Sequence, residues 1–141
     1  MAYNILVVDD SAIMRAVVKK TFKLAEVPIN EFYEAENGKV GLEKLKDNWV
    51  DVVFVDINMP VMTGIEMIDK MAEDGLLKTI PVVIISTEGS NARIEELKNK
   101  GVSAYIRKPF TPEVLRDAIK EVMKEEGDNG GGQEGITCKS T

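Results

Sequence analysis

Two stretches of this chain leave few ways for it to fold. Val52–Val55 (VVFV) and Val82–Ile85 (VVII) carry no polar side chain and are dominated by β-branched residues. A strand that is apolar on both faces needs cover on both, whereas a sheet with one wet face shows an alternating pattern. Strand-like runs recur at 4–8 (NILVV), 32–35 (FYEA), 50–57 (VDVVFVDI), 81–85 (PVVII) and 102–106 (VSAYI), and helical patterns separate them. Five strands alternating with five helices predict an α/β fold in which helical crossovers cover both faces of a parallel sheet.

The helical segments carry their own boundary marks. In the first, Met14, Val17, Val18, Thr21, Phe22 and Ala25 share one face, and Pro28 follows. The second spans about 39–47, with Val40, Leu42 and Leu45 as apolar contacts and Gly41 as a residue that weakens a helix interior. The third has the Thr63–Glu66 capping-box spacing, a buried face of Ile65, Ile68, Met71 and Ala72, and Gly75 as its stop. The fourth, capped by Ser90 and stopped near Gly101, offers chiefly Ile94 and Leu97, so it should be the least firmly anchored. The fifth opens with Thr111 at the cap and Pro112 at the first helical position, then presents Val114, Leu115, Ala118, Ile119, Val122 and Met123.

A chain of 141 residues suits one compact domain, here residues 1–126. From Gly127 the sequence GDNGGGQEGITCKST has almost no apolar content and no periodicity, so 127–141 is expected to be a flexible Gly-rich tail. A net charge of −6 argues against a nucleic-acid binder, whose affinity comes from a basic surface. No segment reads as a membrane span or a secretory leader, which gives a cytoplasmic expectation. Cys138 is the only cysteine and there is no histidine, so an internal disulfide, a thiolate cluster or a zinc enzyme is not expected.

In open α/β sheets ligands bind beyond the carboxyl ends of the strands, where strand order reverses. At those ends lie Asp9 and Asp10, then Asp56, then Ser86 and Thr87, and finally Lys108 before Pro109. Singly, each has a plain reading: Asp10 as a helix cap, Asp56 as a turn residue before NMP, Lys108 as a solvent-facing loop residue. Together they imply a cluster of carboxylates that repel by about 4 kcal/mol per pair at 4 Å and an effective dielectric near 20. A divalent cation is the natural compensator, and all-oxygen ligation favours Mg²⁺ or Mn²⁺.

Through VVDDS, VDINMPVMTG, ISTEGS and IRKPF, over roughly residues 3–126, the chain resembles the response-regulator receiver domains of the CheY type, the phosphoacceptor modules of two-component signalling. The resemblance implies a doubly wound, flavodoxin-like five-stranded sheet in the order 2-1-3-4-5. It implies that Asp56 accepts a phosphoryl group from a sensor histidine kinase or a small donor, and that Mg²⁺ is held by Asp10, Asp56 and the carbonyl of Asn58, with Asp9 acting through water. It also implies that Lys108, after a cis Lys108–Pro109 bond, and Ser86 contact the phosphoryl group. Ser86 and Tyr105 would form the switch, with Tyr105 moving from an exposed to a buried rotamer and reshaping a face of helix four, strand five and helix five. Asn58 and Glu88 would tune hydrolysis.

By that resemblance the chain is a stand-alone, monomeric switch without enzyme turnover that binds a target protein such as a flagellar motor switch component. A phosphorelay intermediate and a receiver that binds without phosphorylation remain alternatives. A haloacid-dehalogenase-type phosphatase would need a second acid where Asn58 stands, and a flavodoxin-like FMN carrier would need phosphate donors where DDSA presents anions. Many chemotaxis members of the family carry tryptophan directly after the phosphoacceptor, whereas here that residue is Ile57 and Trp49 is the only tryptophan, so its fluorescence is expected to report metal binding poorly.

Overall fold

The computed structural model describes residues 2–57, 61–75, 79–86, 91–127 and 137–139. The elements run β1 (Tyr3–Val8), α1 (Ala12–Leu24), β2 (Ile29–Ala35), α2 (Gly38–Asp47), β3 (Val52–Val55), α3 (Gly64–Glu73), β4 (Val82–Ser86), α4 (Asn91–Asn99), β5 (Ala104–Arg107), α5 (Pro112–Gly127) and β6 (Thr137–Lys139). All pairings are parallel, in the order β2-β1-β3-β4-β5-β6. The first five strands thus adopt the expected order. β6 is an addition on the β5 edge, in a stretch where the sequence carries no strand signal and a tail without structure was expected.

Alternation along each strand divides the core in two. Ile5, Val7, Val52, Phe54, Val83, Ile85, Ala104 and Ile106 pack with α1 and α5 residues such as Phe22, Leu115 and Ile119. Leu6, Val8, Val53, Val55, Val82, Ile84 and Tyr105 pack with Leu45, Met67, Met71 and Leu97 from α2, α3 and α4. Phe22 meets Phe54 edge to face at 5.1 Å between centroids, a favoured aromatic geometry.

Local chemistry explains the helix boundaries. Ser11, not Asp10, caps α1 by accepting from the Met14 N–H. Asn37 caps α2 in the same manner, and Thr63 and Glu66 close the expected capping box on α3. Gly41 is no defect, because a Cβ there would lie 3.0–3.2 Å from Met67 side-chain atoms and 3.1 Å from Val8. Its bareness lets α2 sit close against α3 and β1. Gly101, with φ of +92°, follows α4 in a conformation that favours glycine, whereas α3 ends at Glu73 with an extended Asp74 before Gly75.

Several inward assignments differ in the structure. On α1, Val17 points to solvent at 43% exposure while Val18, Thr21 and Phe22 are buried. On α3, Met67 rather than Ala72 completes the buried face. Val114 and Met123 of α5 are only half-buried beside Leu115, Ala118, Ile119 and Val122. In each case the sequence fixes the period of the apolar stripe but not the angle at which the helix lies on the sheet.

Among the described residues of α4, Leu97 alone is fully buried, with Ile94 partly so, in keeping with a thinly anchored helix. Leu97→Ala should lower unfolding free energy by about 2–5 kcal/mol, the range for truncating a buried leucine, as read from urea denaturation.

Candidate functional site

The parallel registers bring the carboxyl ends of β1 and β3 side by side: Val8 pairs with Val55, and the Asp56 N–H donates to the Val8 carbonyl at 2.9 Å. On the other side of β1 the Asp9 N–H donates to Ala35 of β2 at 3.0 Å. β1 thus lies at the place where strand order reverses, and the residues after it face the crevice. Carboxylate oxygens of Asp9, Asp10 and Asp56 all lie within 4.8 Å of one another.

Lys108, in the loop after β5, reaches into this cluster. Its Nζ stands 3.4 Å from Asp9 Oδ2 and 3.9 Å from Asp56 Oδ2, with only 15% of its side chain exposed. The Lys108 N–H donates to the Ser86 carbonyl at 2.8 Å, which ties the end of β4 to the lysine. The Lys108–Pro109 bond is cis, as the family resemblance implies. Ser86 is buried, Asp10 is exposed, and Tyr105 lies fully inside. Of the two arrangements expected for Tyr105, the structure therefore has the buried one. Asn58, Thr87, Glu88 and Ser90 fall outside the described residues.

Electrostatics mark Asp56 out. Burial pushes its carboxyl above the ordinary value of 3.8; the Lys108 ammonium opposes this, and the charges of Asp9 and Asp10 add to it. One ammonium facing three carboxylates leaves a net negative pocket. A cluster of oxygen donors with excess negative charge and no soft ligand suits a hard divalent cation, so these residues could hold a metal.

Two supporting residues have no obvious mark in the sequence. Arg15, which reads as an ordinary solvent-facing helix residue, donates from Nη1 to the Asp9 carbonyl at 2.5 Å and from Nε to Glu34 Oε1 at 2.9 Å. It fixes the backbone of Asp9 from α1 while β2 holds the guanidinium. The Asp9 Oδ1 in turn accepts from the Ser11 N–H at 2.9 Å. Gly64 is the second. Its N–H donates to Ile57 at 2.8 Å, and a Cβ there would collide with the Asp56 carbonyl oxygen. Only glycine lets α3 start so close to Asp56. In the same connection Val61 adopts φ of +70°, costly for a β-branched residue. Trp49 precedes β3, so the sheet separates it from Asp56, and it is 77% exposed.

Residues 5–120 match the family model described as response regulator receiver domain. The chain is similar to "Chemotaxis protein CheY1" of Helicobacter pylori, at 40% identity over 85% of this chain and 96% of the relative. It is 36% identical to the "Chemotaxis protein CheY homolog" of Campylobacter jejuni, over 85% of this chain and 92% of the relative. Among solved structures, Vibrio cholerae chemotaxis protein CheY4 superposes with a TM-score of 0.77 at 33% identity, covering 86% of this chain and 99% of that one.

Because burial raises the Asp56 pKa, the folded protein binds a proton there more readily than the unfolded chain, so ionised Asp56 costs stability above the unfolded value. Asp56→Asn should therefore be more stable than the parent at pH 7 without added divalent cation. That gain should fade as pH falls through the raised value toward 3.8, a trend measurable by urea denaturation at stepped pH. Arg15→Ala should cost about 1–3 kcal/mol, the scale of a lost charge-assisted hydrogen bond, and should weaken Mn²⁺ binding followed by paramagnetic broadening of amide resonances near Asp9.

Proposed function

We propose a function from one premise: the chain belongs to the response regulator receiver domain family. It acts as a stand-alone response regulator that accepts a phosphoryl group on Asp56 from a sensor histidine kinase and passes the signal on by binding a target protein. The observation that carries this reading is the convergence of Asp9, Asp10 and Asp56 within 4.8 Å, with Lys108 reaching both Asp9 and Asp56. No described helix is long and apolar enough to cross a membrane, in keeping with action in the cytoplasm.

In the proposed step a carboxylate oxygen of Asp56 attacks phosphorus and forms a P–O bond. The P–N bond of a phosphohistidine, or the P–O bond of acetyl phosphate, breaks, and its electron pair leaves with the imidazole or the acetate. Hydrolysis of the resulting acyl phosphate restores the carboxylate. Asp10 and Asp56, with Asp9 through water and the carbonyl of Asn58 as the family implies, would hold Mg²⁺. When bound, that ion supplies positive charge against the phosphoryl oxygens.

The chain's own groups do the rest. Lys108 brings a second cation to those oxygens and already sits between the two carboxylates. Ser86, at the end of β4, would offer its hydroxyl to the phosphoryl group. Its backbone link to Lys108 lets the two move together. A pull on Ser86 would alter the space beside β4, where Ile84 pairs with Tyr105, and so bias the packing of Tyr105 and the α4/β5/α5 face. Leu97 as α4's principal anchor makes that helix the easiest element to shift. Asn58 and Glu88 would tune how fast water removes the phosphoryl group.

The names of the relatives support a chemotaxis role; a flagellar motor switch component would be the target by the family resemblance alone. The family is one of switches, so the chain is expected to assist its own phosphorylation and dephosphorylation rather than to turn over a substrate. Incubation with acetyl phosphate and Mg²⁺ should add the mass of one phosphoryl group to the intact protein. Asp56→Asn should add none, and Lys108→Ala should show at least about tenfold less product at equal time, within the range for a lost electrostatic stabiliser. An unchanged yield in Asp56→Asn would refute the assignment.

A further inference from the structure

The two edges of the sheet are protected by different means. An open edge strand presents unpaired N–H and C=O groups, and proteins guard such edges with charge or with a covering element. β2 carries Asn30, Glu31 and Glu34, all exposed, along its seven residues. β5 has nothing comparable: Ala104, Tyr105 and Ile106 are uncharged and 0–1% exposed, and only Arg107 at its end reaches solvent. Thr137–Lys139 lies along this second edge, with Ala104 opposite Thr137, Tyr105 opposite Cys138 and Ile106 opposite Lys139.

The chain must return from α5 to the β5 edge to make this pairing. α5 returns antiparallel to β5 and ends at Gly127, at the end of the sheet from which a parallel strand must start. Nine residues, 128–136, separate Gly127 from Thr137, enough to span up to roughly 30 Å. Four of them are glycines, so little in the sequence opposes a tight course. β5, α5 and β6 form a further parallel strand–helix–strand unit, but α5 lies on the α1 face, whereas β3–α3–β4 and β4–α4–β5, which step across the sheet in the same direction, carry their helices on the other face, so its hand is opposite to theirs and uncommon.

We infer that the β5 edge is a strand-acceptor site and that its occupant is this chain's own C-terminal segment, Thr137–Lys139, which covers the edge by backbone pairing. Three residues form a short ladder, and short ladders are marginal by themselves. The cap is held by tethering, which raises its local concentration, and it can be displaced. β5 is the middle of the face that the proposed function gives to the target, so β6 competes for that face whenever a partner reaches the strand edge. This competition rests on the proposed function. The capping does not.

Backbone exchange of the full-length chain tests it. Cys138→Pro/Lys139→Pro removes two successive N–H groups, and because alternate groups along a strand face the neighbour, one of them must belong to the ladder. Those amides of 104–107 that point toward β6 should then exchange at least about tenfold faster by hydrogen–deuterium exchange, the response expected when local opening is eased, while β1 and β3 stay unchanged. Added hexapeptide of residues 136–141, at millimolar concentration under reducing conditions, should restore the protection. Unchanged exchange at 104–107 in the double variant would overturn the inference. If β1 and β3 accelerate in step with β5, the peptide decides: recovery at 104–107 upholds the cap and no recovery overturns it. None of these readings requires phosphoryl chemistry, so they stand or fall separately from the acetyl phosphate experiment.

Discussion

The placing of the Lys108 ammonium between Asp9 and Asp56 is the interaction on which the rest of this molecule turns. Carboxylates this close need positive charge nearby, and burial, with the neighbouring acids adding to it, holds the Asp56 carboxyl above its ordinary value even with the lysine opposing. The remaining deficit is what gives the pocket its use, since it can be met by a dication and by the phosphoryl chemistry the dication permits. A fully neutralised cluster would be more stable and would have no affinity left to offer.

Holding that unfinished cluster in place requires rigidity elsewhere. β1 and β3, whose ends carry the acids, are deeply buried, with Ile5–Val8 and Val52–Val55 all at 2% exposure or less. Arg15 pins the Asp9 backbone, and Gly64 lets α3 begin against the Asp56 carbonyl. The lysine comes from the loop after β5 at the same edge, tied to β4 through Ser86. The site is thus built on a stiff centre, with the thinly anchored α4 at its flank. That asymmetry suits a device in which chemistry at the centre is read out at the side.

The same flank bears the sixth strand. An uncharged edge beside the movable helix needs cover if it is not to pair with other chains. A tethered strand supplies that cover without committing the face permanently, whereas the charged β2 edge needs none.

Much of this was legible beforehand because apolar periodicity and strand-end chemistry are local. The runs VVFV and VVII forced a sheet covered on both faces, and the acids, serine and lysine at strand ends marked the crevice before any geometry was known. What the sequence could not carry were quantities that depend on relative placement. The tilt of α1 put Val17 outside and Val18 inside, the approach of α2 turned Gly41 from a weak point into a fitted contact, and the fold alone turned Arg15 toward Asp9. The strand at 137–139 was invisible because it forms by pairing with the edge of β5, which local sequence does not encode. Residue type and spacing thus settled the chemistry and the layers, while contacts between segments distant in sequence, whose energies exist only once the chain has closed, settled which groups are held, which are buried and which edge is covered.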